Sequence, residues 1–181
     1  AQPTLAEAST FTDAQIEKIL QERVDLYKKS VGIVVGIVDD DGRRVIAYGK
    51  TRSEGGQDID GGSVFEIGSV TKVFTAVLLA DMVKRGEVRL EDPVSKFLPE
   101  AVVVPEKDGR QITLLDLATQ TSGLPPMPDN FSPADPTNPF ADYTVVQMYE
   151  FLSGYSLTRG VGQQYEYSNF GMGLLGHALA L

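Results

Sequence analysis

Phe65-Glu66-Ile67-Gly68-Ser69-Val70-Thr71-Lys72, followed at once by Val73-Phe74-Thr75-Ala76-Val77-Leu78-Leu79-Ala80, is the stretch around which this chain is organised. A serine stands where a glycine-punctuated segment gives way to a long apolar run, and a lysine follows three residues later. On a helix, residues at i and i+3 share a face, so the Ser69 hydroxyl and the Lys72 amine are expected to meet. The run from Val73 to Ala80 is apolar all round, which predicts a helix buried on most sides. A lysine entering such a helix either snorkels to water or is held there for its amine.

Around that stretch the chain reads as helix, hairpin, then a mostly helical region. Ser9 to Thr12 offer capping side chains, and apolar residues at threes and fours from Ile16 to Tyr27 predict a first helix over Asp13 to Lys29. Val31 to Val38 is β-branched and reads as a strand buried on both faces or nearly so. Asp41-Gly42 signals a hairpin turn, and Arg43 to Tyr48 form the returning strand. Residues 51–63 are polar and glycine-rich, hence a loop. A helix packed on an antiparallel sheet follows from this order.

Beyond the Ser69 helix, Gly86 is a stop signal and Asp92-Pro93 begins a short turn or helix. Ile112 to Ala118 predict a short helix capped by Thr113, and Thr144 to Leu152 an amphipathic one. Between them, residues 125–140 hold six of the ten prolines and read as an irregular surface passage. Tyr167-Ser168-Asn169 then introduces a final apolar helix, Phe170 to Leu181, in which the sequence stops without a cap. That ending carries the expectation of a fragment, or of one chain of a divided protein.

Bulk properties exclude several function classes. A net charge of −9 and a pI near 4.6 leave no basic footprint for nucleic acid. No run of 18 apolar residues is present, so no membrane-spanning helix is expected. With no cysteine and one histidine the sequence offers neither thiol chemistry nor a zinc site, and no metal or cofactor is expected. Asp39-Asp40-Asp41 reads as a solvated turn. The amino terminus is small and polar, as at a mature end left by signal-peptide removal or a trimmed end.

Eleven serines and eight lysines in 181 residues give roughly 0.5 S-x-x-K pairs by chance, so spacing alone is weak evidence. Context strengthens it. Free N–H groups at a helix start favour developing negative charge, and an amine partly removed from water gives up its proton more readily. A serine nucleophile needs such a base when no histidine is at hand. Tyr167-Ser168-Asn169 supplies a phenol that can relay protons and an amide that can hold Lys72 and bind a substrate carbonyl. The bland reading of the same triplet is a polar turn with Ser168 or Asn169 as cap. His177, on the last apolar helix, reads as structural. Thr71 stands where a G-x-S-x-G elbow needs its second glycine, so a Ser-His-Asp triad is not expected.

Taken together, these strings resemble the serine β-lactamase and penicillin-binding family, most closely its class C β-lactamases and the related peptidases and esterases. The resemblance runs from about Val31 to Leu181. It rests on Ile67 to Lys72, Arg85-Gly86-Glu87 to Leu90-Glu91-Asp92-Pro93-Val94, Leu115 to Thr119, Ser122-Gly123-Leu124-Pro125 and Tyr167-Ser168-Asn169. It implies an α+β fold, an antiparallel sheet flanked by helices plus a mostly helical lobe. Residues 1–181 would be the N-terminal portion of one catalytic domain, with 12–63 the helix and sheet strands and 64–181 the lobe. Ser69 would be the acylated nucleophile, Lys72 and Tyr167 the proton-transfer pair, and Asn169 a substrate-binding amide. The Ser69 N–H would be one oxyanion-hole donor.

The family's third motif, Lys-Thr-Gly or His-x-Gly, should supply the second donor and is not among these residues. A complementary C-terminal chain or segment is therefore an expected partner. Two further departures are Gln120, where many relatives have histidine, and Pro126-Met127, where class C β-lactamases usually carry a substrate-touching glutamine. The implied substrate is a small molecule: a β-lactam, or a D-Ala-D-Ala-type peptide or carboxylic ester. A non-catalytic penicillin-binding receptor is the reading from another class. A periplasmic or secreted location goes with the family.

Overall fold

The computed structural model describes residues 11–40 and 42–181. The readings of the extreme amino terminus, of Ser9 and of Asp41 lie outside those residues. The chain divides into two compact units at Glu66/Ile67.

In the first unit, helix α1 (Asp13–Gln21) starts at Thr12, whose hydroxyl accepts the Gln15 N–H while the Gln15 side chain returns to the Thr12 N–H. It continues as a single wider turn over Glu22–Leu26, in which the Tyr27 N–H donates to the Glu22 carbonyl at 2.8 Å. The Lys29 N–H donates to the Arg23 carbonyl at 2.9 Å, and Lys28 adopts φ 50°. This left-handed closure ends the helix short of the expected Lys29. Strands β1 (Gly32–Asp39) and β2 (Gly42–Gly49) pair antiparallel, with Gly32 opposite Gly49 and Asp39 opposite Gly42. Gly49 is required, since its φ is +100° and a Cβ there would lie 2.3 Å from the Val31 carbonyl oxygen. The Tyr48 hydroxyl donates to Asp25 at 2.6 Å and ties β2 to the end of the first helix.

β1 is not buried on both faces as its composition predicts. No residue of it is fully buried, and Val38 is 81% exposed. A two-stranded sheet with α1 packed on β2 leaves much of β1 without a covering layer.

In the second unit, helix α2 (Thr71–Lys84) ends at Arg85, with Gly86 at φ +75°. Short helix α3 (Leu114–Ala118) is capped by Thr113 and Asp116 reciprocally, and α4 (Val145–Gly154) by Thr144 and Gln147 in the same way. Helix α5 (Asn169–Ala180) takes Ser168 as its cap, with the Gly171 N–H donating to the Ser168 hydroxyl at 2.8 Å. α5 runs through the core, where Leu174 and Leu175 are fully enclosed with Ile112, Leu114, Leu117, Leu124 and Leu152. Full burial of each such side chain contributes about 1.5–3 kcal/mol.

Helix α2 is not buried on most sides as its composition predicts. Leu79 is buried, whereas Val73, Phe74 and Val77 are each about 60% exposed. Within its unit α2 packs against α5 through one face, and Thr75 approaches Gly176 of α5. Lys72, Thr75 and Leu79 follow one another along that face at helical spacing. The lysine therefore heads the inward side of the helix.

Candidate active site

Ser69 sits in a 3₁₀ turn, Gly68–Val70, directly before α2. Gly68 takes φ +52°, a left-handed conformation that an L side chain would strain, and this bend delivers the serine to the helix start. One turn along, the half-buried Lys72 donates from Nζ to Ser69 Oγ at 3.1 Å. The same ammonium donates to Asn169 Oδ1 at 2.8 Å. Ser69 Oγ and Tyr167 Oη lie 2.6 Å apart, and Lys72 Nζ lies 4.8 Å from the centre of the Tyr167 ring. The structure thus brings together all four side chains that the sequence singles out, across 98 residues between Ser69 and Tyr167.

The electrostatics follow from this packing. The Lys72 ammonium first, and the Ser69 hydroxyl second, hold the Tyr167 phenol below its ordinary value of 10.0, against a smaller opposing effect of burial. Within hydrogen-bond reach, Ser69 Oγ can pass its proton to Tyr167 as a phenolate beside the Lys72 ammonium, or to Lys72 as a neutral amine.

The segment carrying Tyr167 and Asn169 is held by the loop after α3. Ser168, fully buried, donates from Oγ to the Pro125 carbonyl at 2.6 Å. The Asn169 N–H donates to the Pro126 carbonyl at 3.0 Å. The Gln120 side chain accepts the Ser168 N–H at 2.6 Å, and its main-chain carbonyl accepts the Glu166 N–H at 2.8 Å. Sequence reasoning marks Gln120 only as a departure from a resembling pattern. No spacing rule links residues 48 apart, so no sequence signal points to this contact.

A cleft of about 510 Å³ runs beside Ser69 and Lys72, walled by Thr75, Phe140, Met172 and Gly173. Phe140, Asn169 and Gly173 also border an apolar side pocket of about 170 Å³ with Met127, Phe131 and Tyr143. Met127 Sδ approaches Asn169 Nδ2 at 3.8 Å, so Met127 lies against the candidate amide. His177 is engaged elsewhere, its Nε2 2.6 Å from the Tyr149 hydroxyl. Asp39 pairs with Arg44. Among the described residues, no group of three or more His, Asp or Glu is arranged to hold a metal ion.

The profile of the family described as Beta-lactamase matches residues 16–180. The chain belongs to the β-lactamase family. Among curated relatives, a D-alanyl-D-alanine-carboxypeptidase/endopeptidase AmpH of Escherichia coli (strain K12) is 35% identical over 151 residues, 83% of this chain and 39% of the relative. A β-lactamase of the same organism is 31% identical over 182 residues, 97% of this chain and 44% of the relative. The chain therefore spans about two fifths of the length of the curated relatives it matches.

Among solved structures, a β-lactamase/D-alanine carboxypeptidase from Yersinia pestis, crystallised with citrate, superposes with TM-score 0.78 at 26% identity. That match covers 93% of this chain and 49% of the other. A class C β-lactamase in complex with cefoxitin gives TM-score 0.74 at 24% identity over 93% of this chain and 44% of that one, which supports the fold. This β-lactamase/transpeptidase-like α+β fold is the one the sequence leads one to expect, over the N-terminal portion of its relatives.

Proposed function

We propose that this β-lactamase-family chain carries the nucleophile of a serine hydrolase that forms an acyl-enzyme on Ser69 and acts on β-lactams. The observation that carries the reading is the shared contact of Ser69 Oγ with Lys72 Nζ and Tyr167 Oη at 3.1 and 2.6 Å. In the proposed reaction the Lys72–Tyr167 pair, holding one proton fewer than ammonium plus phenol, takes the single Ser69 proton as Oγ bonds to the substrate carbonyl carbon. The oxyanion is met by the Ser69 N–H and by a second donor from the complementary C-terminal segment. The C–N bond then breaks, with the proton returned to the leaving nitrogen through Tyr167. Water then gives a proton to the same pair and attacks the ester carbon, the C–Oγ bond breaks, Ser69 Oγ takes that proton back, and the opened β-lactam leaves as a carboxylate. Asn169 both holds Lys72 and offers its Nδ2 to the substrate.

A second reading, a D-Ala-D-Ala-type carboxypeptidase, is favoured by the names of two relatives, the AmpH protein and the Yersinia structure. A carboxylesterase would use the same chemistry. A periplasmic or secreted location belongs with this proposal and is tested by cell fractionation.

Intact mass of the natural full-length protein after incubation with a penicillin decides acylation, with turnover of a chromogenic cephalosporin, a D-Ala-D-Ala peptide and a short-chain ester ranking the substrates. The expected result is an adduct on Ser69 that is absent in Ser69→Ala. Absence of both adduct and turnover would overturn the hydrolase reading and favour a non-catalytic receptor.

A further inference from the structure

Tyr167 projects its phenol from a largely exposed stretch of chain, and the residue is 40% exposed. Its position therefore depends on how its main chain is anchored. The residues on either side, Glu166 and Ser168, both give their N–H to one residue, Gln120, through its carbonyl at 2.8 Å and its Oε1 at 2.6 Å. We propose that Gln120 is a positioning residue for the candidate general base Tyr167, setting the approach of the phenol to Ser69. The inference rests on the acyl-enzyme reading above.

The backbone supports the same conclusion. Gln120 is 8% exposed and takes φ +62°, a left-handed conformation that costs an L residue roughly 1–2 kcal/mol. Glycine or asparagine would occupy that conformation more easily. A glutamine there is explained by its reach, because its side chain supplies the acceptor for an N–H of the wholly buried Ser168. Losing that acceptor leaves a buried donor unpaired, and the 166–168 segment must shift to recover a partner. Asn169 is anchored separately, by the Pro126 carbonyl at 3.0 Å. The Gln120 contacts therefore act on the phenol more than on the amide that holds Lys72.

The test uses variants chosen to respect the backbone. Gln120→Gly accepts the positive φ and keeps the main-chain acceptor while removing Oε1. Gln120→Asn favours the same φ but is one methylene too short to reach Ser168. Gln120→Glu keeps an acceptor oxygen at full length. Three quantities are measured in the natural full-length protein: the acylation rate of Ser69 by a penicillin, the concentration for half-maximal rate, and the phenol titration of Tyr167 by ultraviolet difference against Tyr167→Phe.

Gly and Asn variants should acylate about 10- to 100-fold more slowly, as a displacement near 1 Å predicts. The half-maximal concentration should hold within threefold. Tyr167 should titrate closer to its ordinary value of 10.0, because it has moved from Lys72 and Ser69. Gln120→Glu should recover most of the rate. Wild-type acylation and wild-type titration in either folded variant would overturn the proposal. Should one variant fail to fold, the other decides. Should wild type itself form no adduct, the proposed function falls, and the Tyr167 titration alone decides the positioning role.

Discussion

Replacing Lys72 by methionine tests the centre most directly, because it keeps the apolar stem and removes the amine. The amine makes three contacts: Ser69 Oγ at 3.1 Å, Asn169 Oδ1 at 2.8 Å, and the Tyr167 ring at 4.8 Å from its centre. An ammonium over an exposed ring is worth about 0.5–1 kcal/mol, less than a tenfold effect. Loss of a positioned proton acceptor costs about 10²- to 10⁴-fold, or roughly 3–5 kcal/mol at 1.36 kcal/mol per tenfold. The proton-transfer role therefore predicts a far larger defect than the charge contact does. Lys72→Arg separates the two, since arginine keeps the charge but does not release its proton. Both variants are expected to lose at least ~100-fold in the rate of Ser69 acylation, followed by quenched-flow intact mass. A Lys72→Met rate within threefold of wild type would refute any catalytic role. An arginine variant restored to within tenfold of wild type would reduce that role to its charge.

Tyr167→Phe should slow the same step at least ~100-fold, and an unchanged rate would remove the phenol from the mechanism. Ser168→Ala removes the cap of α5 and the donor to the Pro125 carbonyl, so chemical denaturation should show a loss of about 2–4 kcal/mol. A loss under 0.5 kcal/mol would show that the segment relaxes freely. Asp92 is buried and accepts from the Arg89 N–H at 2.9 Å and Lys96 Nζ at 3.0 Å, which together hold its carboxyl below the ordinary 3.8. A depressed folded value means that its stabilisation is complete above the unfolded value and is lost as pH falls through the folded one. Thermal melts below pH 4 should therefore be flatter in Asp92→Asn than in wild type, and parallel acid limbs would contradict this.

Local chemistry makes much of the chain legible from its sequence. Thr113 as a helix cap, Gly86 as a stop, and the hairpin of residues 31–38 with 43–48 are short-range features, each decided within a few residues. Apolar periodicity carries the first helix on to Lys29, past its end at Leu26, because it does not encode the left-handed closure around Lys28. Composition also overstates burial on Val31 to Val38 and on Val73 to Ala80. Apolar composition reports what a segment tolerates, whereas exposure depends on which neighbours are present to cover it.

The candidate site divides along the same line. Ser69 and Lys72 are three residues apart, and helix geometry alone puts the amine within reach of the hydroxyl. The sequence by itself therefore determined that pair, and its ordered motifs determined the family. Only the tertiary structure decided that Tyr167 reaches Ser69 across 98 residues and that Lys72 turns inward to Asn169 rather than out to water. It alone showed that Gln120 grips both neighbours of the phenol. Those contacts depend on a loop after α3 folding back under the start of α5, and local spacing carries no information about such a return.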